Sequence, residues 1–134
     1  MMKAFEEIEH TADWAFRAYG EDLPALFENA ARAMFALQGS ASDATPISSR
    51  VVQVEGTDRE TLLVNWLNEL LYLQETLHET FSGFEILELT EGRLTARVQS
   101  CPQELVKTIK AATFHQLEIK QMENGWVATI VVDV

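Results

Sequence analysis

Residues with chemical capacity appear early, in Ile8-Glu9-His10-Thr11-Ala12-Asp13, where an imidazole, a hydroxyl and two carboxylates share one short stretch. An imidazole can move protons near neutral pH, and carboxylates can hold a cation. Thr and Asp are also ordinary turn residues, so the stretch alone leaves a turn, a helix cap and a site all open. A second candidate lies at the far end. There Asp133 follows the apolar run Ile130-Val131-Val132 and precedes Val134 with its terminal carboxylate. Two anionic groups one residue apart repel unless a cation or base compensates them. Such oxygens are hard donors that suit Ca²⁺, Mg²⁺ or Mn²⁺ better than zinc. A solvated aspartate remains the plain alternative.

The elements that would position these groups are legible in the hydrophobic pattern. Ala4, Phe5 and Ile8 read as one strand, and Trp14 to Tyr19 as the next; Asp13 shares parity with Arg17 and Tyr19, away from Trp14 and Phe16. Asp22 caps a helix over 23–37, with Pro24 in its first turn and Gly39 as its stop. Residues 40–46 are small, polar and broken by Pro46, which makes an exposed loop. A strand is expected over 50–55. Thr57 and Glu60 match a capping box for a second helix, whose stripe is Leu63, Trp66, Leu67, Leu70, Leu73 and Leu77. Asn65, Asn68, Glu69 and Glu75 fall on its other, solvated side.

Beyond Gly83 the period becomes two. Residues 84–90 and 93–99 form a hairpin around Glu91-Gly92, ended by Cys101-Pro102. Residues 104–113 fit either a helical turn or a strand. Asn124-Gly125 marks the last hairpin, with Glu123 opposite Trp126, Ile119 opposite Ile130 and Leu117 opposite Val132. Leu117, Ile119, Ala128, Ile130 and Val132 then share a core face, and Glu118, Lys120, Thr129 and Asp133 the other. No internal repeat stands out. The pattern specifies an α+β fold, a two-layer sandwich in which a mixed or antiparallel sheet carries two main helices on one face.

Composition narrows the function classes. With 134 residues at 47% hydrophobic, the chain suits a single domain over 1–134 with a real core. No run is long and apolar enough for a bilayer span and no signal peptide is visible, so a cytoplasmic protein without a membrane role is expected. One cysteine, Cys101, excludes an internal disulfide and a cysteine-rich zinc site. The net charge of −11 argues against strong direct binding of nucleic acid, whose affinity rests on Lys and Arg. It suits a cation or a basic protein partner.

Several segments together resemble the archease family: Glu9 to Asp13; Gly20 to Asp22 leading into Leu26-Phe27-Glu28-Asn29-Ala30-Ala31; Trp66 to Leu71; Lys110 to His115; and Trp126 with Val131 to Val134. They span almost the whole chain in order. The resemblance implies a non-catalytic accessory protein for the GTP-dependent RNA ligase of tRNA splicing and RNA repair. That ligase joins 2′,3′-cyclic-phosphate or 3′-phosphate ends to 5′-hydroxyl ends, and the accessory protein promotes its guanylylation and repeated turnover. It also implies a divalent-cation site of the calcium type carried by Asp13, Asp133 and oxygens of Val134. Lys110 matches the family's functional lysine, and His10 and His115 join it as partner-activating residues. Position 114 is Phe where the family usually has Tyr, so no polar role is assigned to Phe114. Two other classes compete: a small metal-dependent hydrolase with His10 or His115 as general base, and a chaperone-like solubility factor. Against the hydrolase stand the missing nucleophile elbow, phosphate loop and His cluster.

Overall fold

The computed structural model describes residues 4–8, 14–39, 46–101 and 108–134. The strands are β1 (Phe5–Ile8), β2 (Trp14–Gly20), β3 (Ser48–Glu55), β4 (Thr80–Leu89), β5 (Arg93–Cys101), β6 (Ala111–Ala112), β7 (Glu118–Met122) and β8 (Gly125–Asp133). The helices are α1 (Leu23–Leu37) and α2 (Arg59–Leu77). The α+β class with two helices holds, and the strands divide into two antiparallel sheets. One runs β1-β2-β8-β6, with β7 also on β8; the other runs β3-β5-β4.

α1 forms where its pattern places it. The Asp22 carboxylate accepts the Ala25 N–H at 2.9 Å, and Leu26, Phe27, Ala30 and Met34 are buried without exposure. α2 begins one residue later than its capping box implies. Asp58, not Thr57, is the cap, accepting the Thr61 N–H at 2.7 Å. Asp and Thr both serve as caps, and here the carboxylate at 58 reaches the N3 donor while Glu60 stays in the first turn. Leu62, Leu63, Trp66, Leu67 and Leu70 are buried, and the Trp66 indole N–H donates to the Phe27 carbonyl at 3.0 Å. The buried residues of both helices and both sheets form one cluster.

The last hairpin keeps its faces but not its register. Ile119 lies opposite Ala128 and Met122 opposite Gly125, so every pair shifts by two from the expected one. An even shift preserves side-chain parity, so Ile119 still shares the face of Ala128, Ile130 and Val132. The cause is the turn. Two central residues of a primed turn would need positive φ at Asn124 and Gly125; Gly125 alone of the two has it, at 148°, and the turn falls on Glu123-Asn124. Strand β4 begins at Thr80, with Gly83 inside it, and β3 at Ser48. Of the ambiguous stretch, 102–107 lies outside the described residues, and Ala111–Ala112 is a short strand on β8.

An internal repeat does exist. Gly20/Gly56, Asp22/Asp58, Asn29/Asn65 and Gln38/Gln74 recur at a separation of 36 residues. Each pair does the same work. A Cβ on Gly20 would collide with the Leu26 backbone nitrogen, and one on Gly56 would lie 2.7 Å from that of Leu62. The Asn29 carboxamide donates to the Tyr19 carbonyl at 2.6 Å, and that of Asn65 to the Glu55 carbonyl at 2.7 Å. Each half is thus a strand, a glycine that admits the helix, a capping Asp and a helix tied back by Asn. β3-α2-β4-β5 is continuous, whereas β2-α1 is completed by β7-β8 from the far end of the chain, with β2 and β3 each beside the second strand of the hairpin. The repeat escapes the hydrophobic pattern because its functional matches are polar or glycine, while several apolar positions differ in size, as Ala30 and Trp66 do.

Candidate functional site

Lys110 and Asp133 are brought together by the backbone. The Lys110 N–H donates to the Asp133 carbonyl at 2.8 Å, and β6 continues the contact through Ala111 opposite Asp133 and Ala112 opposite Val132. Thr113 extends it, with both its N–H and its hydroxyl donating to the Val131 carbonyl, at 3.0 and 2.9 Å. Both Lys110 and Asp133 are exposed, and Lys110 forms no ion pair among the described residues. An ammonium and a carboxylate are therefore presented at one rim on fixed backbone.

Three side chains outside the expected set hold that backbone. Gln38 and Gln74 exchange two carboxamide hydrogen bonds at 2.9 and 3.0 Å, and Gln38 Oε1 also accepts the Ile109 N–H at 2.9 Å. Ile109 is buried, so the residue before Lys110 is anchored by both packing and polarity. Asn68 grips β6 from α2: its amide donates to the Ala112 carbonyl at 3.1 Å, and its oxygen accepts the Ala112 N–H at 2.7 Å. Asn68 is thus a clamp rather than part of a solvated face. β6 is too short to hold its place by ladder bonds alone, and these amides supply the rest. The available sequence signal was the repeat, which sets Gln38 and Gln74 at the same distance from their capping residues Asp22 and Asp58.

Beside Lys110 runs an open groove of about 880 Å³, with Leu71, Tyr72, Ile109 and Lys110 along it and Glu75 and Glu79 on its wall. Tyr72 is 61% exposed there. A second cavity of about 710 Å³ lies at the helix N-termini by Leu23, Phe27, Arg59 and Trp126, where the Arg59 guanidinium sits 4.7 Å from the Trp126 ring centroid. It is at the opposite end of β8 from Asp133.

The other expected residues fall into two groups. His115 is on the turn after β6, its N–H donating to the Thr113 hydroxyl at 3.3 Å, and Phe114 beside it is 57% exposed. His10 and Asp13 lie outside the described residues. β2 starts at Trp14 opposite Val132, so the described chain enters that strand beside the end of β8 that carries Asp133. Among the described residues no three His, Cys, Asp or Glu groups gather as a metal cluster. The Asp133 carboxylate and the oxygens of Val134, both exposed, are nevertheless donors of the type a hard divalent cation takes. No helix is long and apolar enough to cross a membrane among the described residues.

Known proteins resemble this chain over nearly its full length. The archease protein family matches over residues 5–134. The chain is 38% identical to the protein archease of Methanosarcina mazei, covering 98% of this chain and 97% of that one. It is 36% identical to that of Methanothermobacter thermautotrophicus, covering 99% and 100%. The solution structure of Methanobacterium thermoautotrophicum protein 1598 superposes with a TM-score of 0.80 at 35% identity, covering 99% and 100%. A Thermotoga maritima archease, described as a possible chaperone, shares the fold at a TM-score of 0.70 and 20% identity, covering 100% of this chain and 98% of that one. The chain belongs to the archease family.

Proposed function

We propose that this protein is a non-catalytic accessory factor that activates a GTP-dependent RNA ligase, the cytoplasmic enzyme joining 2′,3′-cyclic-phosphate or 3′-phosphate ends to 5′-hydroxyl ends in tRNA splicing and RNA repair. It promotes guanylylation of the ligase and its return to activity after each turnover. Family membership over nearly the full chain supports the reading. The observation that carries it is the Lys110–Asp133 backbone bond, which presents a cation and a carboxylate at one rim. A compact ammonium can meet a phosphate or carboxylate on the partner, and the acidic surface favours a basic docking face. His10 and His115 contribute to the same activation. Asp133, oxygens of Val134 and Asp13 would hold a divalent cation, Ca²⁺ before Mg²⁺ or Mn²⁺, and the bound ion supplies fixed positive charge to the rim.

Two measurements test this. In a guanylylation time course of the cognate ligase, adding this protein should accelerate label incorporation; an unchanged rate contradicts the reading. In a calorimetric Ca²⁺ titration, Asp133→Ala should lose the binding that the parent shows, and equal binding by both would remove Asp133 from the cation site.

A further inference from the structure

The two edges of the three-stranded sheet differ in how they end. At one edge, β4 slips twice against β5, between Phe81 and Gly83 and between Ile86 and Glu88. α1 covers it: the Ile86 N–H donates to Glu28 Oε2 at 2.8 Å, and Arg32 Nη2 donates to the Phe84 carbonyl at 3.3 Å. Bulges and covering side chains are the usual means of closing an edge. The other edge, β3, has no bulge, and among the described residues it is covered only at its end, where the Asn65 carboxamide donates to the Glu55 carbonyl at 2.7 Å. It pairs with β5 in unbroken register from Ser48 opposite Ser100 to Glu55 opposite Arg93, and Ser48–Glu55 contains neither Lys nor Pro.

The direction of the free groups follows from the ladder. The Gly56 N–H bonds the Gly92 carbonyl at 3.1 Å, so even-numbered residues of β3 direct their N–H and C=O toward β5. Ser49, Val51 and Gln53 direct theirs away, and these groups have no partner among the described residues. Just before the strand, Ile47 turns its N–H inward to the Ser100 carbonyl at 2.9 Å, so the open ladder starts at Ser49. Ser49, Val51 and Gln53 are all exposed, Val51 by 61%.

We propose that β3 is a self-association edge, pairing antiparallel with β3 of a second copy and continuing the sheet from three strands to six. A two-fold axis at Val51 overlaps the 48–54 stretch with itself. Val51 then meets Val51, and Ser49 meets Gln53, which matches the free groups of one copy to those of the other. Arg50 meets Val52, so no two like charges face each other. The strand carries one charge of each sign, Arg50 and Glu55, so it is self-complementary and holds no excess charge that would select a basic or acidic foreign strand. The contact is isologous and closes as a dimer. A single strand edge buries little against the about 1,200–2,000 Å² of stable interfaces. Each copy also carries −11. Association is therefore concentration-dependent and strengthens as salt screens the repulsion.

Sedimentation velocity on the full chain, from about 10 µM to about 1 mM, reads the mass-action shift. The mean mass should climb toward the dimer, with at least about twice the dimer fraction at ~0.5 M salt as at ~0.1 M. Val51→Lys should remain monomeric with an unchanged thermal midpoint, because an edge lysine blocks pairing at an exposed position. The register has its own readout. Val51→Cys is the informative thiol, since Cys101 is buried. It should cross-link to dimer with a short bismaleimide much faster than Ile47→Cys, whose two copies stand about 27 Å apart in this register. A monomer throughout the range, association of Val51→Lys equal to that of the parent, or equal cross-linking at 51 and 47 would each overturn the proposal. Should Val51→Lys fail to fold, the cross-linking pair decides.

Discussion

Gln38 and Gln74 hold each other by two carboxamide hydrogen bonds, and the same Gln38 oxygen accepts the N–H of Ile109, the residue before Lys110. Both side chains are buried, so the pair ties the ends of α1 and α2 to the backbone that carries the rim. Removing one member strands the other. Gln38→Leu should cost roughly 2–4 kcal/mol, because the Gln74 amide and the Ile109 N–H lose their partners together. Gln38→Leu combined with Gln74→Leu should recover part of that loss. Urea unfolding of the two variants measures both, and full additivity would show that the two amides act independently.

The core of α2 gives a second test. Leu70 is buried without exposure, and Trp66 is as well while donating to Phe27 across the helix pair. Leu70→Ala and Trp66→Ala should each lose about 2–5 kcal/mol by chemical denaturation. Losses of a few tenths would mean that the helix faces the other way.

Acid sensitivity should trace in part to Asp58. The Thr61 backbone N–H, then its side chain, hold the Asp58 carboxyl below the ordinary 3.8, opposing a small desolvation effect. A folded-state pKa below the unfolded one means that the unfolded chain binds the proton more readily. The contribution is therefore complete above the unfolded value and fades as pH falls below about 4 through the folded one. Asp58→Asn keeps an acceptor at the cap but removes the titration, so its thermal midpoint should fall less steeply than the parent's between about pH 4 and pH 2. Equal slopes would exclude Asp58 as a contributor.

How far the sequence carries the structure varies with the kind of interaction. α1 is legible because Asp22, Pro24 and Gly39 punctuate a clean apolar stripe, and its observed bounds match. The second cap falls one residue from its expected place because Thr57 and Asp58 are adjacent and both able to cap. The final hairpin shows its faces in the sequence but not its pairs, since parity depends on side-chain alternation while register depends on which residue takes positive φ. Asn68, Gln38 and Gln74 do not announce themselves as positioning residues. Their task is to satisfy backbone groups of segments distant in sequence, and nothing in local periodicity reports that. Lys110 and Asp133 stand out in the sequence, but their direct backbone bond exists only because β6 lies along β8.

The central claim is that Lys110, held beside Asp133, is what the partner ligase reads. Lys110 is exposed, and its side chain makes no ion pair among the described residues, so the fold does not depend on its charge. Guanylylation of the cognate ligase, timed with the parent and with Lys110→Ala, is the most direct measurement. The expected result is an unchanged thermal midpoint for Lys110→Ala together with loss of stimulation, and partial rescue by Lys110→Arg, whose planar fork replaces a compact charge imperfectly. Stimulation by Lys110→Ala equal to that of the parent would contradict the account.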